Sequence, residues 1–139
     1  MGNVTPPVLI LPGIGGSGPD HWQSVWERLH PEYQRIEMPD WEAPQLDVWL
    51  ARIDAAVARA GEPPVIAARS FAPVPLAPLG FPCRVAASHD DTYGSFAFAA
   101  RCAEAWRAEL CDVGALGHIN AQSGLGAWPE GQRLFAALL

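Results

Sequence analysis

The sequence predicts an α/β protein: a parallel sheet with helices on both faces. Two observations carry that reading. Strand-sized apolar runs alternate with segments whose apolar residues recur at helical spacing, and that alternation calls for a parallel sheet covered on both sides. The turn residues also fall between these segments, since the fourteen prolines and thirteen glycines cluster there without forming one low-complexity block. In such a sheet, ligands sit beyond the C-terminal ends of the strands.

The elements follow in order. Val8 to Leu11 is a continuous apolar run ending at Pro12-Gly13, the pattern of a buried parallel strand. The glycine-rich turn GIGGSG comes next. From Asp20 onward Trp22, Val25, Trp26 and Leu29 mark one face of a first helix. Gln34 to Met38 reads as a short strand closed by Pro39-Asp40. After Pro44, a residue that suits a first helical turn, Leu46, Trp49, Leu50, Ile53 and Val57 repeat the helical spacing until Gly61. Pro64 to Ala68 is the third strand and Arg84 to Ala87 the fourth. Phe96, Ala99, Ala100, Ala103 and Trp106 outline a helix from about Ser95, Glu109 to Val113 is a fifth strand, and Pro129 to Leu139 a closing helix with Glu130 in its first turn.

Between Ser70 and Arg84 the alternation fails. Residues 71 to 83, FAPVPLAPLGFPC, carry Pro73, Pro75, Pro78 and Pro82, and no helix survives that spacing. A crossover between parallel strands needs a dozen residues or more, so this linker can make one only as an extended loop.

Composition narrows the function. At 139 residues and 50% hydrophobic content the chain is expected to form one domain, residues 1–139. Nine Lys plus Arg against fifteen Asp plus Glu leave a formal net charge of −6 and no basic cluster, which argues against nucleic acid or an anionic membrane as partners. The N-terminal stretch has no positive n-region and its apolar run is too short to span a bilayer, so neither a secretory signal nor a membrane helix is expected. Cys83, Cys102 and Cys111 are odd in number and show no CxxC spacing, which suits buried thiols in a cytoplasmic protein. His21, His30 and His89 have no second His or Cys at ligand spacing. No metal ion or cofactor is expected, and GIGGSG is no P-loop because no GK[ST] follows.

Serine hydrolysis on such a sheet requires a serine at a strand end, a histidine base, a carboxylate to orient it, and N–H donors for the oxyanion. Ser70 follows the run VIAA, Asp91 lies past the fourth strand in SHDDTY, and His118 lies past the fifth in GHIN. Their order, Ser then Asp then His, is that of α/β hydrolases. Gly15 and Gly16 stand where an oxyanion loop would be, and Trp41 and Trp128 fall in loops near strand ends, where they are candidates for lining a pocket. Each residue also has a plainer reading as a turn, cap or core residue, and only the order is informative.

The segments LPGIGGSGPDHWQSVWE, MPDWEAPQLDVW, FAPVPLAPLGFP, ASHDDTYGSFAFA and GHINAQSGLGAWPEG together resemble the small serine hydrolases typified by retinoblastoma-binding protein 9 and its bacterial relatives. The resemblance covers nearly the whole chain and implies a three-layer, Rossmann-like α/β-hydrolase fold acting on a small ester or amide. It makes Asp91 the triad acid, with Thr92 in place of the usual proline, and His118 the triad base. Where the family runs from a strand into A-H-S-L-G, a nucleophile helix and a further strand, this chain reads Ala68-Arg69-Ser70-Phe71-Ala72-Pro73, so one central strand–helix unit is missing. Ser70 then has two parentages, the family nucleophile or the residue before the downstream F-x-P-x-P segment. The strands ending at Ser70 and Ala87 must either pair directly or leave the sheet with a gap.

Three readings stay open at this stage. The chain is a serine hydrolase with Ser70, His118 and Asp91 as its triad; or it is a non-catalytic domain that binds a small molecule or a protein; or the segment is missing only from the sequence as written, which translating the genomic DNA around codon 70 would decide. Because the helix after the nucleophile supplies an oxyanion N–H, little or no turnover of p-nitrophenyl esters is expected.

Overall fold

The computed structural model describes residues 4–69 and 78–139. Its elements run β1 (Val8–Leu11), α1 (Trp22–Leu29), β2 (Gln34–Arg35), α2 (Leu46–Ala60), β3 (Val65–Ala68), β4 (Arg84–Ala87), α3 (Phe96–Trp106), β5 (Glu109–Asp112), a 3-10 turn (Ala121–Ser123) and α4 (Pro129–Ala136). Among the described residues every strand pairing is parallel. No helix among the described residues is long and apolar enough to cross a membrane.

Side-chain alternation along β1 divides the core. Val8 and Ile10 face one cluster with Ala67, Trp22, Trp26 and Trp128, which places α1 and the start of α4 on that side. Leu9 and Leu11 face the other with Ile66, Ile36, Met38, Trp49 and Ala56, which places α2 opposite. These are the two helical layers the alternation predicts. Trp22, Trp26 and Trp128 are mutually packed, with ring centroids 4.7 to 6.4 Å apart. A Cβ at Gly131 would lie 2.1 Å from the Trp128 ring, so α4 can approach that ring only with glycine there.

Element ends follow local chemistry. Gly61 closes α2 at φ +77°, and the Ser95 hydroxyl caps α3 by accepting the N–H of Phe98. The ladder of β2 is shorter than the Gln34–Met38 expected: the chain leaves it after Arg35 and buries Ile36 and Met38 in the second cluster. The ladder of β5 likewise stops at Asp112, although the N–H of Val113 still reaches the Ala87 carbonyl at 3.1 Å.

The strands form two ladders, β2-β1-β3 and β4-β5. Of the two outcomes the sequence allowed at the missing unit, the gap is the one observed: among the described residues β3 and β4 share no ladder. The halves are joined instead by side chains. Val113 packs with Val8, Ile10 and Ala67, the Trp22 indole N–H donates to the Ile119 carbonyl at 2.9 Å, and that of Trp26 to the Ala127 carbonyl at 2.7 Å.

Candidate active site

The five strands among the described residues point the same way within their ladders, and the loops after β1, β3, β4 and β5 carry the polar residues of interest. Asp91 follows β4 and His118 follows β5. His118 Nδ1 lies 2.9 Å from both carboxylate oxygens of Asp91, and the side chains are only 18% and 15% exposed. Asp91 Oδ1 also accepts the N–H groups of Tyr93 at 2.8 Å and Gly94 at 3.1 Å. Burial pushes the Asp91 carboxyl up, but the bonds from His118, Tyr93 and Gly94 outweigh it and hold the group below its ordinary value. A carboxylate so held keeps the imidazole proton on Nδ1, and among the described residues no hydrogen bond reaches Nε2, the nitrogen a base would use.

The loop carrying His118 is clamped at several points. Asp90 Oδ1 accepts the Gly117 N–H at 2.7 Å, the Ser88 hydroxyl accepts the N–H of Leu116, and the Ser123 hydroxyl donates to the Leu116 carbonyl. Within SHDD, therefore, Asp91 holds the His118 ring while Asp90 holds the backbone of Gly117 just before it. His89 pairs with Asp112 at 2.7 Å, but both side chains are about half exposed, 53% and 54%, and the His89 ring stacks on Phe96 away from His118. The sequence reading missed the clamp; the two adjacent aspartates were the available signal.

Two adjoining cavities open here. One of about 380 Å³ is lined by Asp90, Thr92, Tyr93, Gly117 and His118 among others; the second, of about 290 Å³, shares Tyr93, Asn120 and Gln122 with it and adds Gly16, His21 and Arg69. The Tyr93 ring lies 4.7 Å from that of His118. Arg69, directly after β3, donates through Nη2 to the carbonyls of Gly16 at 2.9 Å and Ile14 at 3.3 Å, and burial pulls its guanidinium below the ordinary value.

The remaining expected residues are placed differently. The Gly15 N–H donates to the Trp41 carbonyl at 2.8 Å and the Gly16 N–H to the Gly13 carbonyl at 3.0 Å, so each would have to give up a bond to serve as an oxyanion donor. Both glycines have positive φ, 80° and 69°, and the Trp41 ring packs 3.4 Å from where a Gly16 Cβ would be. Trp41 thus supports the turn from the side of the second core cluster. Trp128, expected along a pocket, is a core residue only 7% exposed, packed on Trp22 and Trp26. The expectation that Trp128 lines a pocket is corrected accordingly, since position in a loop does not say which way a ring points. Ser70 lies outside the described residues.

His21 stands at the N-cap of α1, where its Nδ1 accepts the Gln23 N–H at 3.1 Å. Burial, with Arg69, Arg35 and His118 adding repulsion, lowers its pKa from 6.5 to about 3. The unfolded chain therefore binds one more proton than the native one between those values, and folding stability is expected to fall as pH drops from about 6.5 to about 3. Urea midpoints measured across that window should show the slope, and His21→Asn, which keeps a cap acceptor, should flatten it.

Comparison with known proteins agrees with this geometry. The serine hydrolase family model matches residues 8–73 and 66–137, two stretches that share the segment containing Ser70. The crystal structure of a YdeN-like hydrolase from Pectobacterium atrosepticum is similar over 94% of this chain and 89% of that one, at 31% identity and a TM-score of 0.88. The ydeN gene product of B. subtilis shares the fold at 21% identity, over 96% and 98% of the two chains, with a TM-score of 0.75. No curated protein matches the chain. With the family matched along almost its whole length and the paired Asp and His at the expected strand ends, the chain belongs to the serine hydrolase family.

Proposed function

We propose that the chain hydrolyses small esters or amides, with Ser70 as nucleophile, His118 as general base and Asp91 as the group that orients it. The observation that carries this reading is His118 Nδ1 held 2.9 Å from both Asp91 oxygens with Nε2 left for a proton. The serines support it by elimination. Of six in the sequence, the hydroxyls of Ser17, Ser24, Ser88, Ser95 and Ser123 are bonded to Gln23, the Ser17 carbonyl, Asp90, the Phe98 N–H and the Leu116 carbonyl. Ser70 is the one left.

In this mechanism His118 takes the Ser70 proton as the oxygen bonds to the acyl carbon, then gives it to the departing alcohol or amine. Water repeats the sequence on the acyl-enzyme, releasing the acid and restoring Ser70. Turnover is slow, because the nucleophile helix is missing and the Gly15 and Gly16 N–H groups are engaged; one lost oxyanion donor costs about 10²- to 10³-fold. The engaged donors favour the second reading, a binding domain without turnover.

A fluorophosphonate probe followed by peptide mapping separates the two. Slow, saturable labelling of Ser70 is expected, accelerated about 10²-fold or more by inserting a relative's A-H-S-L-G unit with its helix and strand. Failure of Ser70 to label on prolonged exposure, while a relative treated alongside labels, would rule out the hydrolase reading.

A further inference from the structure

The turn that carries His118 is strained at a bulky residue. Ile119 adopts φ +50°, a left-handed conformation that β-branched side chains rarely take. The core holds it there: its side chain packs against the first cluster, and its carbonyl accepts the Trp22 indole N–H at 2.9 Å. That turn carries both His118 and Asn120 to the wall of the 380 Å³ cavity, and Asn120 lines the 290 Å³ cavity as well. Strain that the surroundings enforce beside a candidate base directs attention to what the turn presents.

Most of the polar groups of Asn120 are spent. Its backbone N–H donates to the Ser123 hydroxyl at 3.1 Å, its carbonyl accepts the Ser123 N–H at 3.0 Å, and its side-chain oxygen accepts the Gln122 N–H at 3.1 Å. A backbone N–H must meet the oxygen of an amide, so the other end of this side chain is the NH2. Nδ2 has no partner among the described residues, and it is not one of the polar atoms sealed from the surface. The donor is therefore oriented by its own cap with both protons free. Gln122 lines the same two cavities, but it is exposed and no bond among the described residues holds its amide.

We infer that Asn120 binds the acyl oxygen of the substrate through Nδ2–H, beside His118. The reaction is taken from the hydrolase reading; the oriented donor stands without it. Charge develops on that oxygen as Ser70 bonds to the acyl carbon, and a donor already fixed in place stabilises it without reorganisation. The N–H groups of Gly15 and Gly16 are committed to Trp41 and Gly13, so the glycine turn has neither of these to spare. Asn120 supplies a donor from the turn that also carries the base. It does not replace the N–H that a nucleophile helix would add, so turnover stays slow.

The test compares variants that keep the cap. Asn120→Ser and Asn120→Asp both retain an acceptor for the Gln122 N–H and lack the NH2. Urea midpoints are expected to stay at the unmodified value, while fluorophosphonate labelling of Ser70 slows about 10²-fold or more. The rate is taken on the plateau of the pH profile, so that the charge added by aspartate is not read as lost donation. An asparagine that only capped the turn would leave both rates unchanged; full rate in either variant overturns the proposal. A second readout does not need the nucleophile. In Ser70→Ala carrying ¹⁵N-asparagine, methyl butyrate is expected to move an Asn120 Nδ2–H resonance downfield and saturably, and butyl methyl ether, which lacks the carbonyl, to leave it in place. The chain has two asparagines, and Asn120→Ser identifies the resonance. A resonance that does not move, or moves as far with the ether, overturns the proposal as well. Ester binding at Asn120 with no labelling of Ser70 fails the hydrolase reading alone, and labelling of Ser70 at full rate in the two variants fails this one alone.

Discussion

His118→Ala is expected to slow fluorophosphonate labelling of Ser70 by about 10²- to 10⁴-fold, the usual contribution of a positioned general base. The reasoning is geometric: among the described residues His118 is the imidazole whose Nδ1 is held by a part-buried carboxylate just past a strand end. Asp91→Asn should cost nearly as much while leaving the loop folded. An asparagine oxygen can still accept the N–H groups of Tyr93 and Gly94, but the amide presents N–H to Nδ1 and turns the imidazole to the wrong tautomer. His89→Ala, at the exposed second His–Asp pair, should label at the unmodified rate. A loss in His89→Ala with none in His118→Ala would move the base to the wrong pair and refute the assignment. Single-exposure labelling rates are the right measure, because they do not require many turnovers.

Gln23→Leu is expected to destabilise the fold by about 2–4 kcal/mol, since it removes three buried hydrogen bonds. Gln23 is completely buried, and its amide does three jobs. Nε2 donates to the carbonyls of Leu11 at 3.1 Å and Ala67 at 2.9 Å, bridging the C-terminal ends of β1 and β3, while Oε1 accepts the Ser17 hydroxyl at 2.6 Å and ties the glycine turn to both. Leucine fills similar space and supplies none of these bonds. Urea unfolding measures the loss, and a change below about 1 kcal/mol would show that water or a shifted Ser17 replaces the amide.

The legible parts of the molecule are those written in local periodicity and punctuation. The Trp22, Trp26 and Leu29 spacing located α1, Gly61 stopped α2, and SHDD and GHIN, placed just past apolar runs, located Asp91 and His118 because a parallel sheet collects its strand ends at one edge. What was not legible depends on distant partners. The pattern around His21 speaks only to metal ligation, and nothing in DHW says that its Nε2 is buried or that the residue shares a cavity wall with Arg69, which follows a strand far along the chain. Gln23 looks like a polar residue on the outer face of a helix, yet it reaches Ala67 across 44 positions of sequence. Gly15 and Gly16 stood where oxyanion donors would be, but whether an N–H is free is decided by Trp41 and Gly13. Trp128 occupied a loop position and proved to be core, because Gly131 lets α4 close onto its ring.

The division of the strands into two ladders bears on how the molecule holds together as one unit. In an uninterrupted sheet the backbone itself transmits order from strand to strand; here that transmission stops between β3 and β4 among the described residues. Concerted melting must then be enforced at the seam by Val113 against Val8 and Ile10, and by two indole N–H groups reaching the Ile119 and Ala127 carbonyls. The tryptophans of α1 accordingly act as rivets between two semi-independent blocks, and weakening them would let the β4-α3-β5 block, with Asp91 and His118 attached to its strand ends, exchange its amide protons on its own schedule.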